Sequence, residues 1–172
     1  MMRCLRFWLL LLAAGLMPGE SSAQYLEATI PTGLAPRAVI WNPTANKVYT
    51  ADDNGGTVTI IDGAGNEVRA TVPVGPYPGG LSCNPKTNKV YVCCAGEEPG
   101  DYVLAVIDGA GDSVLTRLQL QNRPCWSVVN ENLNKVYVYC NEPLERITVL
   151  DGTADTVLRE LRTRFSSYML VH

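Results

Sequence analysis

Histidine is almost absent from this 172-residue chain, whose only copy is the terminal His172. A His-rich metal site is therefore excluded, and no imidazole is available to activate a cysteine nucleophile. Basic residues are also scarce, since the chain has 14 lysines and arginines against 17 acidic residues and a formal net charge of −3. Nucleic-acid binding relies on clustered basic residues, so we expect no nucleic-acid partner.

Long apolar runs are missing except at the N-terminus. Arg3 and Arg6 precede an apolar run at residues 7–17, which ends before the small residues Ser21-Ser22-Ala23. This arrangement predicts a secretory signal over residues 1–23. An uncleaved anchor is the alternative, although the run is shorter than the roughly 20 residues that span a bilayer. We therefore expect a secreted, periplasmic or cell-surface protein that does not span the membrane after signal cleavage.

What the chain does contain is a repeat. The sequence Asn-Lys-Val-Tyr begins at Asn46, Asn88 and Asn134, at steps of 42 and 46 residues. A period of that size is typical of a four-stranded propeller blade. Each repeat divides into four short apolar runs, A to D, separated by turn residues such as Asn-Pro and Asp-Gly. Several runs are apolar at consecutive positions, which favours strands covered on both faces.

The repeat predicts an all-β fold, a β-propeller segment of three four-stranded blades. The mature chain would span 24–172, with blades at about 36–75, 78–121 and 124–163 and the start of a fourth at 164–172. Residues 28–33 copy residues 70–75 and predict a lone N-terminal strand of type D. Three blades do not complete a ring of about 4–8 blades. We expect a fragment of a larger propeller; if this chain is the whole product, its exposed apolar end faces favour self-association.

Several of these repeated residues also resemble a known family. Asn-Lys-Val-Tyr-Val, an apolar strand ending in Ile-Asp, Val-x-Ala-Thr-Val-Pro-Val-Gly and a later Asn-Pro are similar to the YVTN-repeat β-propeller family over about residues 24–163. Those proteins are secreted or of surface-layer type and are usually seven-bladed. The family's Thr-Asn pair is not kept, because Tyr49 is followed by Thr50-Ala51. The resemblance implies a propeller scaffold and offers no catalytic motif to transfer.

The candidate ligand-binding residues are acidic. In propellers the D–A and B–C loops share one face, and the B–C loops here contain no lysine. They carry Asp52, Asp53, Glu97, Glu98, Asp101, Glu142 and Glu145. This face is a hypothetical site for a cationic partner or Ca²⁺, which takes oxygen ligands; solvation of exposed loops is the alternative. The Asp-Gly-rich C–D turns lack the spacing of an EF-hand loop, and turn formation explains them.

Cysteine is the remaining group with chemistry. Five cysteines follow the signal, an odd number, and export permits disulfides. If Asn130 pairs with Lys135 and the ladder continues without interruption, Cys125 lies opposite Cys140. We therefore predict a Cys125–Cys140 disulfide. The alternative is that the cysteines are buried as small apolar residues.

Taken together, these features predict an exported, non-enzymatic propeller scaffold that binds a protein or a glycan. No motif indicates a cofactor. The alternative is a fragment of a propeller enzyme, such as a lactonase-like hydrolase or a quinone-dependent dehydrogenase. Such enzymes place acids, histidine or arginine on the inner loops of several blades. The missing histidine and the small number of arginines near the B–C acids argue against that alternative.

Overall fold

A computed structural model describes residues 26–163, which form three four-stranded antiparallel sheets. The predicted signal (1–23) and the start of a fourth repeat (164–172) lie outside the described residues. Within them, no helix is long and apolar enough to cross a membrane. The strands are β1 (Pro36–Asn42), β2 (Lys47–Asp52), β3 (Thr57–Asp62), β4 (Val68–Pro73), β5 (Pro78–Asn84), β6 (Lys89–Cys94), β7 (Val103–Asp108), β8 (Ser113–Gln119), β9 (Pro124–Asn130), β10 (Lys135–Cys140), β11 (Arg146–Asp151) and β12 (Val157–Arg162).

The sheets are the blades of a propeller segment. Strand order in each sheet follows the chain, so blade 1 is β1–β4, blade 2 is β5–β8 and blade 3 is β9–β12. The first strands pack side by side, β1 against β5 and β5 against β9, whereas the last strands β4 and β8 hardly touch. The blades therefore diverge outward from a common axis. This confirms the predicted all-β propeller segment.

The hydrophobic core lies between the blades. Val90 and Val92 belong to the cluster that blade 2 forms with blade 1, which includes the fully buried Tyr49. Tyr91 belongs to the second cluster, which blade 2 forms with blade 3 and which includes Val138. Successive side chains of a strand point to opposite faces. A strand of a middle blade is therefore apolar at consecutive positions, because both of its faces are covered.

The repeated asparagine shapes a turn and links two blades. Asn46, Asn88 and Asn134 have φ values of 49°, 52° and 49° in the turn between strands A and B. Asparagine tolerates this left-handed conformation better than most residues. The Oδ1 atom of Asn88 accepts a hydrogen bond of 2.8 Å from Asn42 of blade 1. The same bond, of 2.7 Å, joins Asn84 of blade 2 to Asn134 of blade 3.

The repeated lysine links the blades a second time. Lys47 Nζ of blade 1 lies 2.6 Å from Asp112 Oδ1 and donates to the carbonyl of Gly109 at 2.8 Å, both in the C–D turn of blade 2. Lys89 makes the equivalent contacts with blade 3, 2.7 Å from Asp155 Oδ2 and 2.8 Å from the carbonyl of Thr153. These ion pairs are largely buried. The repeated motif thus forms polar contacts between neighbouring blades.

The predicted N-terminal strand is not formed. Residues 28–33 belong to no sheet, and the first strand begins at Pro36. A strand of type D needs a free C strand beside it, and each described C strand (β3, β7 and β11) already pairs with the D strand of its own blade. The segment instead approaches blade 1, where Gly33 N donates to Thr59 Oγ1 at 3.2 Å.

The predicted disulfide is also not formed. The β9–β10 ladder keeps the expected register until its last pair, where a bulge places Cys140 opposite Pro124 instead of Cys125. Both cysteines are free thiols. The other two blades have a bulge at the same step, and their A strands also begin with proline, Pro36 and Pro78. Proline has no N–H for the ladder and occurs at strand starts and bulges, which explains the interruption.

Candidate ligand-binding face

The D–A and B–C loops meet at one end of each blade, as predicted. Backbone hydrogen bonds of 3.0 to 3.1 Å join them, from Asp53 N to the Ala35 carbonyl, Ala95 N to Tyr77, and Asn141 N to Arg123. The A–B and C–D turns are joined at the opposite end, for example by Gly109 N donating to the Asn88 carbonyl at 2.8 Å. We call the first end the loop face and the second the turn face.

The bulges make the loop face different in every blade. The bulged residue that strand B leaves unpaired is Arg37 in blade 1, Gly79 in blade 2 and Cys125 in blade 3. The residue before the strand's proline likewise changes, and in blade 2 it is Tyr77, at a φ of 52°. A left-handed conformation is unusual for a bulky residue, and such strain is concentrated at functional sites. Bulges also redirect side chains beside active sites.

An outer pocket of about 580 Å³ opens on the loop face between blades 1 and 2. Three of the predicted acids, Asp53, Glu97 and Asp101, lie around it. Glu97 and Asp101 belong to the B–C loop of blade 2, which runs from 95 to 102 and is longer than the equivalent loop of blade 1. The complete lining is Asp53, Asn54, Gly55, Gly56, Pro76, Tyr77, Glu97 and Asp101.

Two of these acids have partners within the protein. The Tyr77 hydroxyl donates a short hydrogen bond to Glu97. That bond and the negative charge of Glu97 raise the pKa of Tyr77, so the phenol stays protonated and keeps its donor role. Asp53 Oδ2 accepts a hydrogen bond from the Arg37 guanidinium at 3.3 Å. The acids are therefore held in position by donors on neighbouring loops.

An inner pocket of about 360 Å³ adjoins the outer one and shares Tyr77 with it. Arg37, Arg123 and Trp126 are among the residues that line it, and the Trp126 ring stacks on Tyr139, outside the pocket, at a centroid distance of 4.9 Å. Trp, Tyr and Arg are the residue types that dominate binding energy in protein interfaces. The lining is Arg37, Tyr77, Gly79, Gly80, Cys93, Ala95, Arg123, Pro124, Cys125, Trp126 and Asn141.

The structure does not bring the other predicted acids to these pockets. Asp52 is fully buried and accepts hydrogen bonds from three threonine hydroxyls, those of Thr50 (3.0 Å), Thr57 (3.3 Å) and Thr59 (2.6 Å). Its role is to organise blade 1. Glu98 and Glu142 line neither pocket, although Glu142 lies 3.8 Å from Arg123.

The arginines were missed by sequence reasoning, which expected few of them near the B–C acids. Arg37 follows Pro36, the proline that opens strand A of blade 1. Arg123 precedes Pro124, the equivalent proline of blade 3. Recognising that Pro36 favours a bulge would have moved Arg37 to the loop face, whereas Arg123 lies in the D–A loop, which the sequence already assigns to that face.

Neither cysteine of the inner pocket is an activated nucleophile. Burial raises the pKa of the Cys93 thiol, which is fully buried. Burial raises the pKa of Cys125, and the nearby Arg123 offsets this only in part. A thiol with a raised pKa is protonated near neutral pH, whereas the thiolate is the reactive form. Among residues 26–163, no group of three or more His, Cys, Asp or Glu side chains is placed to hold a metal ion. The Ca²⁺ hypothesis therefore gains no support from the acids of the outer pocket.

The fold is shared with solved β-propellers. Hydrazine synthase of Kuenenia stuttgartiensis matches with a TM-score of 0.68 and 19% identity, over 82% of this chain and 40% of that one. The Cps50 (Swd1) β-propeller domain of Myceliophteria thermophila matches with a TM-score of 0.60 and 15% identity, over 79% of this chain and 41% of that one. At these identities the likeness shows the fold alone, and this chain spans about two fifths of either structure.

Sequence comparisons add no family. No protein-family profile matches the chain. No curated protein matches it either. The resemblance to the YVTN-repeat family therefore stays a prediction, whereas the class, a β-propeller segment of three blades, rests on the sheets and on the solved structures.

Proposed function

We propose that this chain belongs to an exported, non-enzymatic propeller scaffold that binds a protein or a glycan through its loop face. The observation that carries the proposal is the adjacency of the two pockets, which share Tyr77 and join acidic to guanidinium groups. Ligand sites combine a concave surface with a few well-placed polar groups and aromatic side chains. The secretory signal predicted at residues 1–23 supports export.

The location of the polar groups supports binding rather than packing. Arg37 and Arg123 line the inner pocket and pair with acids outside it, Asp53 of the outer pocket and Glu142. A guanidinium presents five N–H donors, so each arginine that pairs with one carboxylate keeps donors for a ligand. Such donors suit the hydroxyl and carboxylate oxygens of a glycan, or the carbonyls and acids of a protein.

Binding is best measured with two defined probe sets, an array of neutral and uronic-acid oligosaccharides and a library of displayed peptides. Residues 24–172 are compared with the double variant Arg37→Ala/Arg123→Ala. Loss of two charge-assisted contacts should weaken binding of a selected probe by at least about tenfold. Lys86→Ala, which removes an exposed lysine beside the turn face, is the matched control and should bind as the parent does.

Two outcomes contradict the proposal. One is that no oligosaccharide or peptide binds the folded parent. The other is that bound probes do not distinguish the double variant from Lys86→Ala, which would place the binding surface elsewhere. Circular dichroism of each variant checks that the sheets are intact.

An enzyme fragment is the second candidate, and one observation favours it. The arginines that sequence reasoning expected to be rare near the acids form the pairs Arg37–Asp53 and Arg123–Glu142. A chromogenic lactone offered to residues 24–172 tests this candidate directly. We expect no turnover. Hydrolysis that disappears in Asp53→Asn would instead favour the lactonase-like alternative.

A further inference from the structure

At the two ends of the segment, blades 1 and 3 each expose a face. The equivalent faces inside the segment are buried between neighbouring blades. On blade 3, Trp126 and Val128 are 53% and 60% exposed. The equivalent residues of blade 2, Gly80 and Ser82, lie against blade 3, and Ser82 Oγ is 2.6 Å from Ser127 Oγ. On blade 1, Trp41 is 57% exposed. Exposed apolar patches of this kind mark interaction sites.

The internal interfaces show which groups such a face engages. In both, strands A and B of the leading blade supply an asparagine amide and a lysine ammonium. The following blade supplies an asparagine Oδ1 and the carbonyls and last residue of its C–D turn. Four bonds of 2.6 to 2.8 Å make up this pattern, Asn42–Asn88 and Lys47–Asp112 in the first interface, and Asn84–Asn134 and Lys89–Asp155 in the second.

The end of blade 3 carries the donor half of this pattern without an acceptor half. Asn130 Oδ1 accepts from Leu133 N at 3.0 Å, as Asn42 and Asn84 cap their own turns, which leaves its amide directed outward. Lys135 makes no hydrogen bond or ion pair within residues 26–163. A hollow of about 560 Å³ lies beside Asn130 and Tyr137, on the face where a following blade would pack.

The end of blade 1 carries the acceptor half, and among the described residues Asn46 Oδ1 receives only a long hydrogen bond of 3.4 Å, from Trp41 of the same blade. Its C–D turn has the backbone of the other two, since Asn66 has a φ of 56° where Asp112 and Asp155 have 52° and 53°. Gly63 N donates to the Asn46 carbonyl at 2.9 Å, as Gly109 N does to Asn88. One residue differs, because Asn66 stands where the other turns have an aspartate.

We propose that a chain that consists of these three blades alone associates head to tail, with the end face of blade 3 bound to the end face of blade 1 of a second copy. The contact repeats the internal interfaces, with Lys135 seated on the turn that ends at Asn66 and the Asn130 amide on Asn46. Because Asn66 is neutral, this contact lacks the ion pair of the internal interfaces and is the weaker, reversible one. Two copies joined twice would make six blades, a number at which propellers close.

The test is the association of residues 24–172, measured by sedimentation velocity over a range of micromolar concentrations. The parent should self-associate reversibly. Lys135→Ala should weaken the association by roughly tenfold, because it removes the charged donor of the contact. Asn66→Asp should strengthen it by a similar factor, about tenfold, by restoring the ion pair seen between Lys47 and Asp112. Lys86→Ala is the control and should associate as the parent does.

The double variant Asn66→Asp/Lys135→Ala separates this contact from general adhesion of apolar faces. If Lys135 and residue 66 meet, the gain from the aspartate disappears once the lysine is gone. A chain that stays monomeric overturns the proposal. So does self-association that ignores both substitutions, or a gain from Asn66→Asp that persists without Lys135. Equal urea midpoints of parent and variants at low concentration confirm that the fold is unchanged.

Discussion

The turn face and the loop face of this propeller segment follow opposite rules. On the turn face most repeated positions keep the same residue in the three blades, such as Asn46, Asn88 and Asn134 in the left-handed position of the A–B turn, and Asn66 is an exception. On the loop face the equivalent bulged residues are Arg37, Gly79 and Cys125. Identity at one end and variety at the other occur within the same strands.

The difference between the two faces indicates that the turn face stabilises the fold and that the loop face is suited to binding. A residue that is the same in every blade contacts the neighbouring blade, which is also the same at each interface. A residue that differs from blade to blade suits contact with a ligand that touches several blades at once. The repeat therefore explains how the blades are joined, whereas the pockets lie where the repeat breaks down.

Removing the buried lysine from the turn face should have the largest effect. Lys89→Ala leaves Asp155 and the carbonyl of Thr153 without their partner in a largely buried site. Breaking a buried ion pair in this way costs about 3–5 kcal/mol. Urea unfolding should show a lower midpoint at an unchanged slope.

The matched control is the third lysine of the repeat. Lys135→Ala has no ion pair to break among residues 26–163, so its unfolding free energy should stay within about 0.5 kcal/mol of the parent at low protein concentration. Similar losses in both variants would show that the motif lysine acts within its own blade instead of between blades.

The next effect concerns strand A of blade 2, where it approaches blade 3. A Cβ on Gly80 would lie 2.5 Å from the Cys125 carbonyl oxygen and 2.9 Å from the Trp126 Cα, both backbone atoms. Gly80→Ala therefore has to push two blades apart, at a cost of about 1–3 kcal/mol. The neighbouring Gly79→Ala meets only the Arg37 side chain at 3.6 Å and should be close to neutral. Thermal unfolding of the pair measures the difference.

A smaller effect is expected from the repeated tyrosine. The Tyr91 hydroxyl donates to Asp155 Oδ1 at 3.0 Å across the second interface. Tyr91→Phe should cost about 1–2 kcal/mol, because the aspartate loses one of its donors in a buried site. Tyr137→Phe, on the half-buried end face of blade 3, should leave stability nearly unchanged. Equal costs at both positions would mean that the hydroxyl does not act between blades.

The blades can be predicted from the sequence because they depend on local patterns of residues. Runs of apolar residues, Asp-Gly turns and the 42- to 46-residue step define the strands, and the register between Asn130 and Lys135 was predicted correctly. The inter-blade contacts were not predicted. Lys47 and Asp112 are 65 residues apart, and nothing local shows that they meet.

Only some residues of the loop-face pockets can be predicted from the sequence, for a physical reason. Asp53, Glu97 and Asp101 were placed on the right face because loop position fixes them. Asp52 was placed there as well, yet it turns inward to the hydroxyls of Thr50 and Thr59. Asp52 is the last residue of β2 and faces the interior of the blade, whereas Asp53 opens the short 3-10 helix Asp53–Gly55 and reaches the outer pocket. The pattern of charges alone does not distinguish them.

The last prediction concerns the number of cysteine thiols that can be alkylated, and it involves no change in stability. The bulge that separates Cys125 from Cys140 leaves all five described cysteines free. Unfolded residues 24–172, never exposed to reductant, should therefore take up five carbamidomethyl groups. In the folded protein the half-buried Cys83 and Cys125 should react before Cys93, Cys94 and Cys140, which are buried. Burial raises the pKa of Cys140 to about 12, which keeps this thiol protonated and slow to react at neutral pH.

Cys125→Ser is the control and should take up four groups. Uptake of three by the parent and four by this variant would instead reveal a Cys125–Cys140 bridge and a ladder without the bulge. The loop face would then have to be rebuilt around a different register of strand A.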